Sequence, residues 1–179
     1  MDKKVIKAKV NDLLALGTAK TDVFAELTGQ GVKDSQLAHF IASYADQQRC
    51  DEHSRKVNVL ITIMFVQAFI AFLFGFGAGI KIGPNAKWIT SVVSASIPLL
   101  FAFGFYKHFA GAYNAYIVLA IVQMPKALAG LSSNPTATAI VFAINLAVVG
   151  YVWYVREKIF PDFAFIGPKK IKGQYVFSG

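Results

Sequence analysis

Between Glu52 and Glu157 the chain carries not one aspartate or glutamate, and within that stretch lie four apolar runs. They are Val57 to Ile80, Trp88 to Tyr106, Phe109 to Leu131 and Thr136 to Val155. An α-helix rises about 1.5 Å per residue, so about 20 apolar residues cross the roughly 30 Å of hydrocarbon in a bilayer. Each run is that long or nearly so, and acidic side chains are costly in lipid. The pattern predicts a polytopic membrane protein.

The charges are segregated as well as scarce. Only 16% of residues are charged, whereas soluble domains carry about a quarter. The first 56 residues hold nine Lys or Arg and eight Asp or Glu, while most later basic residues stand at the ends of the apolar runs or in the tail. The expected fold class is all-α. A small three-helix head over 1–56 precedes a block of four transmembrane helices over 57–156 (57–80, 88–106, 109–131 and 136–155), and a tail follows over 157–179. The net charge of +8 does not mark a nucleic-acid binder, because the head's charges nearly cancel and such a footprint needs basic residues clustered on one face. The excess reads as topology control and as attraction to anionic lipid headgroups.

With four crossings both termini share one side. Close to the membrane that side holds Arg49, Arg55, Lys56, Lys107, Arg156, Lys158, Lys169, Lys170 and Lys172, nine in all, against Lys81, Lys87 and Lys126 opposite. The positive-inside rule then puts both termini in the cytoplasm, with a bacterial inner membrane as the expected location. The start, Met1-Asp2-Lys3-Lys4, leads into an amphipathic segment rather than a signal peptide, so the first run is expected to direct its own insertion. The single cysteine, Cys50, suits a reducing compartment.

A repeat runs through the head: Leu13, Gly17, Val23 and Leu27 recur fourteen residues later as Leu27, Gly31, Leu37 and Ile41. Each unit reads as a helix-ending glycine, a Thr or Ser suited to capping (Thr21, Ser35) and apolar residues four apart. Helices are expected over Lys3–Leu16, Thr21–Thr28 and from Asp34 onward, the third running without a break into the first span. Helix-turn-helix DNA reading is disfavoured, since from Lys20 to Gln48 two lysines face Asp22, Glu26, Asp34 and Asp46, and phosphate contacts need basic residues. A helical interaction module is expected instead, offering Val23, Leu27, Leu37, Phe40 and Ile41 to a partner.

In the membrane block, Gly83-Pro84-Asn85 is strong turn chemistry between the first two runs. Only Lys107 and His108 separate the second run from the third, which makes a tight antiparallel hairpin. Pro125 interrupts the third run, and a last turn falls over Leu131–Pro135. Gly75 and Gly79, four apart, suit close helix packing within the chain or with another protein. The amides Gln67, Asn114, Gln123 and Asn145 need partners in hydrocarbon, where an unsatisfied polar group costs several kcal/mol. They read as glue between helices, or as contacts to a partner or a second copy. Asn114 and Gln123, nine residues apart, point to nearly opposite sides of one helix and cannot line one pore in a monomer.

The same stretch bounds the chemistry. Proton coupling and acid–base catalysis in a membrane usually need carboxylates there, and none is present. Cys50 and His53 would give two metal ligands where zinc prefers three or four, and a base without an orienting group for a nucleophile. No catalytic residue, cofactor or metal is expected.

The layout resembles that of immunity proteins against pore-forming bacterial toxins: small, four spans, both termini cytoplasmic and no catalytic groups. That resemblance implies a non-enzymatic protein acting through protein–protein contact, with a toxin or another membrane protein as partner. The rival reading is a small oligomeric channel or transporter for an uncharged or anionic solute, with the amides of several chains around the path. The extended tail from Phe160 to Gly179 is rich in aromatics, Gly and Pro, and Phe160, Phe163, Phe165 and Ile166, alternating with turn residues before Lys169 and Lys170, suggest a segment lying on the cytoplasmic membrane face.

Overall fold

A computed structural model describes residues 2–128, 134–165 and 167–178. Among these the chain is mostly helical, with helices α1 (Lys3–Ala15), α2 (Lys20–Leu27), α3 (Asp34–Ala42), α4 (Gln47–Glu52), α5 (Ser54–Ile80), α6 (Ala86–Tyr106), α7 (Ala110–Leu128) and α8 (Pro135–Ile159), and a hairpin of β1 (Lys170–Ile171) and β2 (Gln174–Tyr175). They fall into two compact units: Met1–Cys50 together with Arg156–Gly179, and Asp51–Val155. The expected turn at Leu131–Ser133 and the end of the third run at Leu131 lie outside the described residues, as does Ile166.

The first unit is built on the apolar periodicity of α1 to α3. Ile6, Val10 and Leu14 of α1, Val23 and Leu27 of α2, and Leu37, Ala38 and Ile41 of α3 form a buried cluster, joined by Phe177 from the tail. Gly17 ends α1 as the repeat suggests. It adopts φ +83°, and the amides of Thr18 and Gly17 return to the carbonyls of Leu13 and Leu14, a Schellman closure that favours glycine because it needs left-handed backbone. The second repeat is less regular, with Gly29 as well as Gly31 at positive φ after α2. Thr21 and Ser35 do not cap. The N-cap residues are Ala19 and Lys33, without side-chain hydrogen bonds, so both helices begin earlier than the hydroxyls suggested.

The expected continuous stalk from the third head helix into the first span is broken, for local reasons. Ser43 Oγ donates to the Phe40 carbonyl at 2.9 Å, which favours an ending at α3. Asp46 Oδ1 then accepts from the amide of Gln48 at 2.8 Å, starting α4 in the manner of an N-cap. Such side-chain to backbone bonds compete with helix continuation.

The tail is neither structureless nor separate from the head. Phe177 packs with its ring centroid 5.6 Å from Phe24, and Tyr175 lies 5.5 Å from the same ring. The β1–β2 turn is made by Lys172 and Gly173, both at positive φ, the two-residue geometry that matches strand twist. Two buried charges organise the approach to this hairpin. Arg156, fully buried, donates to the carbonyls of Ala164 and Phe165 at 3.1 and 2.7 Å and lies over the Phe163 ring. Asp162, 2% exposed, accepts from Lys20 Nζ and from the Ser178 amide, each at 2.6 Å.

The second unit holds the long apolar helices. Three of them, α5, α6 and α8, are long and apolar enough to cross a membrane, and only 22% of the most apolar window of each is buried. Outward-facing residues include Phe65, Phe69, Phe74, Ile89, Val92, Leu100 and Ile144. An apolar surface of this extent is unfavourable in water and suits lipid. The fourth expected span, α7, is shorter, with 19 residues, and carries Tyr113, Asn114, Tyr116, Gln123 and Pro125 among its apolar positions.

Candidate functional site

Gly75 and Gly79 line the seam between α5 and α6. A Cβ at Gly75 would stand 2.6 Å from the Thr90 carbonyl oxygen and 2.8 Å from the Ser91 Cα, and one at Gly79 would collide with the Lys87 backbone and the Thr90 hydroxyl. Thr90 Oγ1 uses that approach to donate across the seam to the Gly75 carbonyl at 2.7 Å. Ser91 is fully buried there and satisfies itself on the Lys87 carbonyl at 2.6 Å. The small residues thus serve helix packing within this chain.

The four amides do not meet. Gln67 of α5 pairs with Tyr116 of α7, Nε2 donating to the phenol oxygen at 3.2 Å. The Tyr116 ring also stands edge-on to Phe101 of α6 at 5.2 Å, so this one side chain ties three helices. Asn114 is 9% exposed, and its Oδ1 has no hydrogen-bond partner among the described residues. Gln123 and Asn145 lie on the exposed surface of the unit. Tyr116 was missed at the sequence level, although Tyr113 and Tyr116 flank Asn114 on the helical spacing that also buries Ala110 and Ile117.

In the first unit the expected interaction face is corrected. Val23, Leu27, Leu37 and Ile41 have no exposed surface at all, because their four-residue spacing serves the head's own core rather than a partner. Phe40 alone of that set is partly exposed. It lines an open groove of about 400 Å³ with Lys3, Ser35, Gln36, His39 and Pro168. Burial, and secondarily the charge of Lys7, hold the His39 imidazole below its ordinary value, and its ring meets Phe163 edge-on at 5.4 Å.

A smaller cleft of about 190 Å³ lies in the second unit where α5 begins and the α6–α7 hairpin turns. Ser54, Val57, Asn58, Ile61, Tyr106 and His108 line it. His108 sits at φ +50°, a left-handed conformation that costs a non-glycine residue about 1 kcal/mol or more. Its Nδ1 is buried without a partner among the described residues. Burial lowers its pKa, and the nearby Asp51 carboxylate opposes the shift.

Among the described residues no group of three or more His, Cys, Asp or Glu side chains is placed to hold a metal ion. His53 instead lies 3.4 Å from Lys56 Nζ through Nδ1. Fold and site together define a mostly helical protein with three helices long and apolar enough to cross a membrane, and a separate compact unit formed by residues from the first fifty and from Arg156 onward. No protein-family model, no curated protein and no solved structure matches this chain.

Proposed function

We propose that the protein is a non-enzymatic multi-pass protein of a bacterial inner membrane that works through protein–protein contact, in the manner of an immunity or accessory protein. One observation carries the arrangement: residues 2–50 and 156–178 close into a single unit, held by the Lys20–Asp162 ion pair and by Phe177 in the head core. Side chains packed against one another share one side of a bilayer, so the chain between them crosses an even number of times. Three helices are apolar enough by themselves, which makes α7 the fourth. Its polar groups fit that role because Tyr113 and Asn114 are buried and Tyr116 is bonded to Gln67, sparing lipid the cost of meeting them.

The excess of basic residues on the side of the two termini supports a cytoplasmic head. The partner is another protein, either cytoplasmic and met by the head, or membrane-inserted and met by the block. The lack of acidic residues from residue 53 to 156 supports a role without proton coupling or bond cleavage. Exposed Gln123 and Asn145 favour a second reading, an oligomeric channel or transporter, because amides facing lipid gain by pairing across copies.

Two measurements test the reading. Reporter fusions at each terminus and within 81–87 should place both termini in the cytoplasm and the loop outside; termini on opposite sides would remove its basis. Purified protein in liposomes should show neither conductance nor saturable solute flux. A conductance abolished by Gln123→Leu or Asn145→Leu would establish the channel instead.

A further inference from the structure

The cleft where α5 begins has the chemistry of a lipid headgroup site. Ser54, Val57, Asn58 and Ile61 stand at the spacing of one helical face, polar and apolar positions alternating along it. Tyr106 and His108 close the other wall. None of the polar side-chain groups of Ser54, Asn58, Tyr106 and His108 has a hydrogen-bond partner among the described residues. Lys107 brings a cation to this edge, its ammonium 5.6 Å from the centre of the Tyr106 ring.

Depth and size narrow the ligand. α5 leaves the charged segment Asp51 to Lys56 and enters its apolar run at Val57, so the cleft lies at headgroup level. Its volume of about 190 Å³ falls below the roughly 300 to 1,000 Å³ of sites that enclose a drug-sized ligand. Four side chains able to donate hydrogen bonds, beside the Lys107 cation, suit the acceptor oxygens of a phosphate and outnumber the one opposing charge, the Asp51 carboxylate near His108. Beyond Asn58, the partly exposed Ile61 leads along α5 toward the outward-facing Phe65 and Phe69, the direction acyl chains take. The strained φ of His108 fits a residue held for binding.

From this geometry we infer that the cleft retains one anionic phospholipid, its phosphodiester bonded by Ser54, Asn58, Tyr106 and His108 beside Lys107 and its tails lying along α5. The shared chemistry is phosphate, and the test separates lipid from free phosphate. Full-length protein is purified with equimolar phosphatidylglycerol and phosphatidylcholine and examined by native mass spectrometry. The wild type keeps one phosphatidylglycerol per chain in preference. Asn58→Leu and His108→Leu each lower that preference about tenfold, the scale of one lost hydrogen bond to a charged group. Ser96→Ala, ten residues back along α6 from Tyr106, leaves it unchanged. Tyr106→Phe, which removes only a hydroxyl, lowers it with the thermal melt unaltered and so guards against a folding artefact.

Equal retention of the two lipids by the wild type, or undiminished preference in all three cleft variants, overturns the assignment. Inorganic phosphate titrated into lipid-depleted protein is expected to give no saturable shift of the His108 ring signals. Saturation there, without lipid preference, would assign the cleft to a soluble phosphate and refute the lipid.

Discussion

Removing the Asp162 carboxylate should undo the tail's attachment to the head. Asp162 is 2% exposed and Lys20 12% exposed at the side chain, with 2.6 Å between their charged atoms, and the Ser178 amide bonds the other carboxylate oxygen. Asp162→Ala leaves an ammonium and an amide without their acceptor in a site largely closed to water. Breaking a buried pair from one side costs about 3 to 5 kcal/mol. The lower figure applies, because Lys20 retains some access to solvent through its long stem. At about 1.4 kcal/mol per factor of ten, a loss of about 3 kcal/mol raises the open fraction of the tail more than a hundredfold. Hydrogen exchange reads this directly. The amides of Lys169 and Val176 are bonded to the carbonyls of Asp162 and Lys169, and in lipid-reconstituted protein their exchange should accelerate by that factor. The double variant Lys20→Met with Asp162→Leu should recover much of the protection, since an apolar pair leaves no stranded charge. Exchange within about threefold of wild type in Asp162→Ala, against the factor expected from the cost of a broken buried pair, would refute the claim that this ion pair holds the two chain ends together.

Three further outcomes are expected. Gly79→Leu should separate α5 from α6 and cost about 1 to 3 kcal/mol as an overpacked contact, visible as a lower melting temperature in detergent; an unchanged melt would mean that the seam is not tight. Phe177→Ala should cost about 3 to 5 kcal/mol of stability in the first unit, seen as faster exchange of both the tail and α2, whereas an effect confined to the last residues would separate the tail from the core. His39 has a folded pKa held below its ordinary 6.5, so the unfolded chain takes the proton first. Stability of the first unit should therefore be full above 6.5 and fall as the pH drops through the depressed folded value. Protection at pH 7.5 and 5.5 measures the fall, and His39→Gln should flatten it.

How much was legible beforehand differed between the two units. Membrane character came from a local property, the absence of acid over more than a hundred residues, and no packing could reverse it. The helix end at Gly17 was likewise local, because glycine removes the Cβ that left-handed backbone excludes. The apolar repeat of the head identified core residues but suggested the wrong use for them, since periodicity tells which face of a helix avoids water and not what covers it. Lys20 and Asp162, 142 residues apart, gave no joint signal. Each reads alone as a surface charge.

What the linear chain determined by itself is the solvent in which most of it must live, because hydropathy and charge are summed along the backbone regardless of partners. Tertiary structure decided the rest: that the tail closes the head, that Gln67 finds Tyr116, and that Ser54, Asn58, Tyr106 and His108 share one cleft. Those facts depend on distances between side chains far apart in sequence, which only the packed fold defines.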